Sequence, residues 1–150
     1  MTPDRDLLRP FREPFGWDDV PRQPYKEDAT TPFRAIARQV LFAAPELGCE
    51  LRYFEMDAGG YSTLEQHEHA HAVMILRGSG RCLLGERVRD VRTHDLISIP
   101  PWTWHQFRAT EGVRFGFLCM VNAVRDRPRL PDAEDLAKLR AIPEIAAFLG

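Results

Sequence analysis

His67, His69 and His71 stand at alternate positions in the run GGYSTLEQHEHAH, with Glu65 just ahead of them. A fourth imidazole, His105, follows in IPPWTWHQF, so four of the five histidines fall in two short segments. Both segments read as neighbouring β-strands. In an extended chain alternate side chains share a face, so positions 65, 67, 69 and 71 can all point the same way. Imidazoles gathered with a carboxylate in one small volume suit a first-row transition metal. The fifth histidine, His94, sits beside Asp95 in a turn and is read as structural.

The same letters contain a rival. His67-Glu68-His69-Ala70-His71 satisfies H-E-x-x-H, the zinc-protease signature, in which two histidines share one face of a helix. That signature needs helix on both sides. Gly59-Gly60 stands close before it, and Ala72–Leu76 leads straight into Gly78-Ser79-Gly80. The stretch therefore reads as strand, turn and strand.

The surrounding elements are those of an all-β chain. Strand-like segments are expected at 37–42, 49–56, 64–67, 72–77, 80–84, 88–91, 95–99, 105–109 and 114–121. Gly59-Gly60, Gly78-Ser79-Gly80, Leu84-Gly85-Glu86 and Pro100-Pro101 punctuate them. Many short strands at such spacing indicate a sandwich or barrel. The prolines at 10, 14, 21, 24 and 32 exclude a continuous helix or central strand before residue 33. Residues 1–32 are thus read as an extended N-terminal arm. Its aromatic residues, Phe11, Phe15, Trp17 and Tyr25, need cover, and a second subunit could supply it. Residues 33–125 form the barrel. Residues 126–150 form a tail of short helices, opened by Pro131-Asp132 and resumed near Pro143.

A length of 150 residues suits one domain with a sizeable core. A net charge of −2 gives no argument for nucleic acid or an anionic membrane. No apolar run approaches the ~18 residues of a membrane span, and the N-terminus lacks a secretory segment. A cytoplasmic location is expected. Cys49, Cys82 and Cys119 are odd in number and form no CxxC pair, so they are read as small core residues. Cys119 could also line a cavity.

Taken together, the two histidine segments resemble the paired motifs of the cupin family. Gly60 opens the first motif and Gly78 closes it. His71 stands where the family has its Glu, and Glu65 and His67 stand at the two usual His positions. In the second motif Asp95 ends the turn, with His94 in place of its Gly. Pro100 matches the Pro, Trp102 replaces a Gly, His105 is the His, and Ala109 replaces the final Asn. The resemblance spans roughly residues 49–121. It implies an all-β double-stranded β-helix, the jelly-roll barrel of a single-domain cupin, holding one divalent ion of Fe, Mn, Ni, Co or Zn. The implied ligands are Glu65, His67, His71 and His105. A second frame, which takes His67 and His69 as the usual pair, makes His69 the alternative ligand and puts Val73 at the carboxylate position.

Such a site leaves open positions on the metal. The resemblance then implies an enzyme of oxygenase type acting on an oxygen-rich small molecule. The other reading is a non-catalytic cupin that binds or senses a small ligand. Trp102, Trp104, Phe107 and Phe117 are the candidate substrate-pocket residues. Arg77 shares the parity of His71 and could meet an anionic substrate or form a rim ion pair. Met74 and Phe115 are expected in the barrel interior. A homodimer is expected from the aromatic arm and from the edges that a small jelly roll would otherwise expose.

Overall fold

A computed structural model of the chain describes residues 7–25 and 34–150. Its centre is a curled antiparallel sheet forming a jelly-roll barrel. The long strands are β4 (Arg34–Ala44) and β5 (Cys49–Tyr61), followed by β6 (His71–Arg77), β7 (Ser79–Leu84) and β8 (Arg87–Arg92). β9 (Leu96–Ile99), β10 (His105–Ala109) and β11 (Phe115–Asn122) complete it. The hydrogen-bonded order is β8-β7-β10-β5-β11-β6-β9, with β4 also on β5. β5 holds this together. Its first half lies between β4 and β11, and its last residue, Tyr61, pairs with Arg108 of β10. The bend falls at Asp57–Gly60, where β5 carries extra residues relative to β4.

Alternation decides which side chains enter the barrel. Phe54 and Met56 of β5, Val73 and Ile75 of β6, and Phe117, Cys119 and Val121 of β11 form one buried cluster with Phe107. Met74, expected inside, is on the outer face and 38% exposed, because it has the opposite parity from Val73 and Ile75. Phe115 is buried as expected. Arg77 leaves the parity of His71 for a different reason. β6 carries one extra residue where Ile75 pairs with Phe117 and Arg77 with Gly116, so the bulge turns Arg77 outward. There its Nη1 donates to Glu55 at 2.6 Å.

The N-terminal segment covers the outer face of the same protomer. Between its prolines it forms the short hairpin of β1 (Phe11–Arg12) and β2 (Gly16–Trp17), then β3 (Gln23–Pro24), which pairs with β4. Phe15 stacks on Tyr53 at 5.6 Å and Trp17 meets the same ring edge-on at 5.4 Å. The expected aromatic cover thus comes from the chain's own barrel over residues 7–25. The expected boundary at residue 32 lies outside the described residues.

After the barrel come α1 (Ala133–Arg140) and α2 (Pro143–Leu149). α1 starts on a capping box in which Asp132 accepts from the Asp135 amide and Asp135 accepts from the Asp132 amide. Leu139, Ile145 and Phe148 bury against Leu64 and Leu83. Among the described residues, no helix is long and apolar enough to cross a membrane.

Gly116 shows how tightly the outer layer is packed. A methyl group added there would overlap the Tyr53 hydroxyl, and Tyr53 is fully buried and bonded to Glu55. Gly116→Ala should therefore lower stability by about 1–3 kcal/mol, the usual cost of overpacking. A urea melt checks this, and an unchanged midpoint would show that Tyr53 can yield.

Candidate metal centre

His105 opens β10 and His71 opens β6, so both project from strand starts at one end of the barrel. His67 comes from the connection 62–70, which is held between two other segments rather than paired along its length. Sequence reading placed a strand at 64–67; only isolated bridges occur there, Glu65 with His105 and Gln66 with Arg129. Backbone bonds fasten this connection. Glu65 and His105 exchange amide bonds at 3.2 and 3.0 Å, and the Trp102 amide donates to the His67 carbonyl at 2.8 Å. On the other side Asp126 accepts from the amides of Glu68 and His69.

The outcome is a near-equilateral triangle of rings. Centroid separations are 5.0 Å for His67–His71, 4.9 Å for His67–His105 and 5.0 Å for His71–His105. Their metal-ligating nitrogens lie within 4.8 Å of one another. Glu65 lines the same cavity beside them. His69 stacks flat on His67 at 3.6 Å, and its Nδ1 lies 2.7 Å from Asp126 Oδ1. Of the expected ligands, His67, His71 and His105 bring their ligating atoms together, while Glu65 and His69 line the same cavity outside that group.

Each imidazole in that group already has a partner at Nδ1. His67 Nδ1 faces the His69 carbonyl at 2.6 Å, His105 Nδ1 faces the Thr103 carbonyl at 2.8 Å, and His71 Nδ1 lies 3.2 Å from Cys119 Sγ. Donation to a carbonyl fixes the tautomer with the proton on Nδ1, leaving the Nε2 lone pair for a metal. His71 Nε2 is buried without any hydrogen-bond partner. A buried, unsatisfied acceptor among two like rings is what a divalent cation would satisfy. The residues fit a metal ion.

Electrostatics point the same way. Burial, with His105 and the other rings adding to it, pushes the His71 pKa down to about 2. Burial also pushes His105 down to about 4 and lowers His67, where the neighbouring His69 adds to the effect. All three are thus neutral at pH 7, as ligation requires. Asp126 is held below the usual carboxylate range, first by the Glu68 amide and then by His69. Burial raises the Cys119 thiol, which is neutral beside His71.

The cavity next to these rings has a volume of about 220 Å³. Phe107 and Phe117 line it, together with Phe54. Trp102 and Trp104, expected in the pocket, lie elsewhere. Trp102 has a left-handed backbone (φ 55°) and is 53% exposed, while Trp104 packs with the helices and under the Arg129 guanidinium. The helical tail competes for Trp104, which the motif alone does not reveal. His94 is exposed in its turn with φ 77°. Sequence reading passed over Arg38, Arg52 and Asp126. The alternation of β4 and β5, with Phe54 inward, was the signal that could have placed both arginines inside.

The pattern of the family described as Cupin domain matches residues 52–121. A 1-methylthio-D-xylulose 5-phosphate methylsulfurylase from Rhodospirillum rubrum is 54% identical over 142 residues, covering 95% of this chain and 91% of that protein. The crystal structure of a cupin 2 conserved barrel domain protein from Rhodopseudomonas palustris is 60% identical, with a TM-score of 0.89. That match covers 94% of this chain and 97% of the other. A cupin-2 domain structure from Rhodospirillum rubrum gives a TM-score of 0.86 at 54% identity, over 95% of each chain.

Acid should unfold the metal-free protein through these rings. In the unfolded chain they take up protons below about 6.5, whereas in the fold His105 stays neutral down to about 4. Below 6.5 the unfolded state then binds more protons, so the stability held above that pH is lost as pH falls toward 4. Thermal melts of metal-free protein should show Tm falling across this window, and falling less steeply in His105→Gln. Equal slopes in both proteins would assign the acid sensitivity to other groups.

Proposed function

The chain belongs to the cupin family, and from that membership we propose that it is a metal-dependent enzyme acting on a small methylthio-substituted sugar phosphate. One observation carries the metal half of this reading. Three neutral imidazoles, each committed at Nδ1, turn toward one another beside an open cavity, and His71 Nε2 lacks a partner. His67, His71 and His105 would hold the ion, with Glu65 as the fourth ligand and His69 as the alternative. When bound, such an ion supplies a Lewis acid that polarises a carbonyl or hydroxyl oxygen of the substrate. The substrate half is supported by the name of the relative from Rhodospirillum rubrum and by its 54% identity over 142 residues.

The chain's own residues suit such a molecule. Phe54, Phe107 and Phe117 offer an aromatic wall to a thioether, which packs favourably against ring edges. His69, tied through Nδ1 to Asp126, would accept or return a proton at Nε2. Dioxygen chemistry, expected from the family resemblance, would use the same open face and is the second reading; the apolar lining of the cavity supports it. A purely ligand-binding cupin is the third.

Protein loaded separately with Mn, Fe, Co, Ni or Zn and given 1-methylthio-D-xylulose 5-phosphate in thiol-containing buffer tests the proposal. Loss of the substrate's own S-methyl resonance in proton NMR, with a new S-methyl signal from the released methylthio group, is the expected result. Oxygen uptake without that loss would favour the oxygenase, and inertness with every metal would leave the binding module. Elemental analysis checks the ligands: Ala at His67, His71 or His105 should cut bound metal at least about tenfold, while His94→Ala should keep it. Full occupancy in His105→Ala would remove that residue from the site. The homodimer is supported by the exposed outer-face residues Met74, Leu96 and Met120. Sedimentation velocity at micromolar concentration should show a dimer, and a lone monomer boundary would refute it.

A further inference from the structure

Two arginines line the same cavity. Arg52 of β5 and Arg38 of β4 lie on the inward face, diagonal to one another, since Arg38 pairs with Phe54 and Val40 with Arg52. Arg52 is only 6% exposed. Its guanidinium lies 4.8 Å over the Phe54 ring, and its Nη2 donates to Cys119 Sγ at 3.6 Å. Arg38 lies 5.6 Å over Tyr25 and reaches the neutral Gln23 at 3.4 Å. In both side chains Nε is buried with no hydrogen-bond partner. Among the described residues, neither guanidinium has a carboxylate partner. Three other charged groups line the cavity: Arg125 is engaged with Glu50, Asp126 with His69 and two backbone amides, and Glu65 makes no ion pair with either arginine.

We infer that Arg52 and Arg38 form a phosphate subsite that holds the anionic end of the substrate while its other end reaches the imidazoles. A buried cation without a counter-charge is costly to the fold, and an anion delivered by the ligand removes that cost. Arginine supplies a planar fork of N–H donors, which matches phosphate oxygens two at a time. The subsite is contiguous with the metal centre: Arg52 contacts Cys119 Sγ, which lies 3.2 Å from His71 Nδ1. A single small sugar phosphate can therefore span both. This assignment rests on the phosphorylated-substrate reading above, and its test is separable from it.

Isothermal titration of the full chain as purified, with D-xylulose 5-phosphate, D-xylulose and inorganic phosphate, reads the subsite without turnover. The phosphorylated sugar should bind at least tenfold more tightly than D-xylulose, and inorganic phosphate should compete with it. Arg52→Met should weaken the phosphorylated sugar tenfold or more, and Arg52→Lys should fall between. Arg38→Met, at a partly exposed position, should weaken it likewise and carries the test should Arg52→Met not fold. Arg81→Gln, whose side chain pairs with Asp90 on the exposed surface, should bind as the parent does. Equal affinity for the two sugars, or parent affinity in both Met variants, would overturn the subsite. Arginine-dependent phosphate binding without loss of the S-methyl group would retain the subsite and sink the reaction.

Discussion

Three imidazoles can share the inside of an apolar barrel only while all of them are neutral. Each protonation would place a cation against two neighbouring rings at about 5 Å, with little water to screen it. The chain meets this constraint by removing choice. Two of the Nδ1 atoms face carbonyls and the third faces a neutral thiol, so every ring presents the same nitrogen to its neighbours. The carbonyls belong to His69 and Thr103, each two residues along the backbone from the ring that it orients. Ring orientation is therefore coupled to local backbone shape, and that shape must be held from outside.

The external hold comes from segments that a ligand motif does not mention. The connection 62–70 is bridged to β10 on one side and to Asp126 and Arg129 on the other. Leu64, in the same connection, is buried under α1 and α2. The helical tail thus reaches the segment that carries His67 through Leu64 without contributing a side chain to the imidazole cluster. The same helices draw Trp104 away from the cavity, leaving the walls to phenylalanines on β5, β10 and β11.

Period-two alternation and turn chemistry made most of the barrel legible. β10 begins and ends at the expected residues, and the other main strands fall within a few residues of expectation. The failures have a common cause, which is that alternation holds only while pairing is continuous. Arg77 is one case: a single extra residue beside Gly116 reverses its face. The segment around His67 is another, since alternation was extended through a stretch that pairs only at isolated positions. His69 accordingly stacks on His67 rather than lying beside it in a row. Trp102 escaped because nothing local signals a left-handed backbone at a tryptophan. The positions of His71 and His105 were nonetheless legible, because each opens a strand, whereas His67 reaches them from a connection that pairs only at isolated positions.

The two faces of β5 give the sharpest contrast in the molecule. Glu55, facing outward, is 4% exposed and is met by Arg77 at 2.6 Å, Arg114 at 3.4 Å and the Tyr53 hydroxyl at 3.2 Å. Three residues earlier, facing inward, Arg52 is 6% exposed and has a thiol and a phenyl ring for company. Both are buried charges on one strand, under the same desolvation cost. The first is compensated several times over, and removal of its partners would be a loss to the fold. The second would be better served, for stability alone, by an apolar residue like its neighbours Phe54 and Met56. A charge left without a carboxylate partner among the described residues, in a strand that balances its other buried charge so fully, is the feature from which the phosphate subsite is inferred.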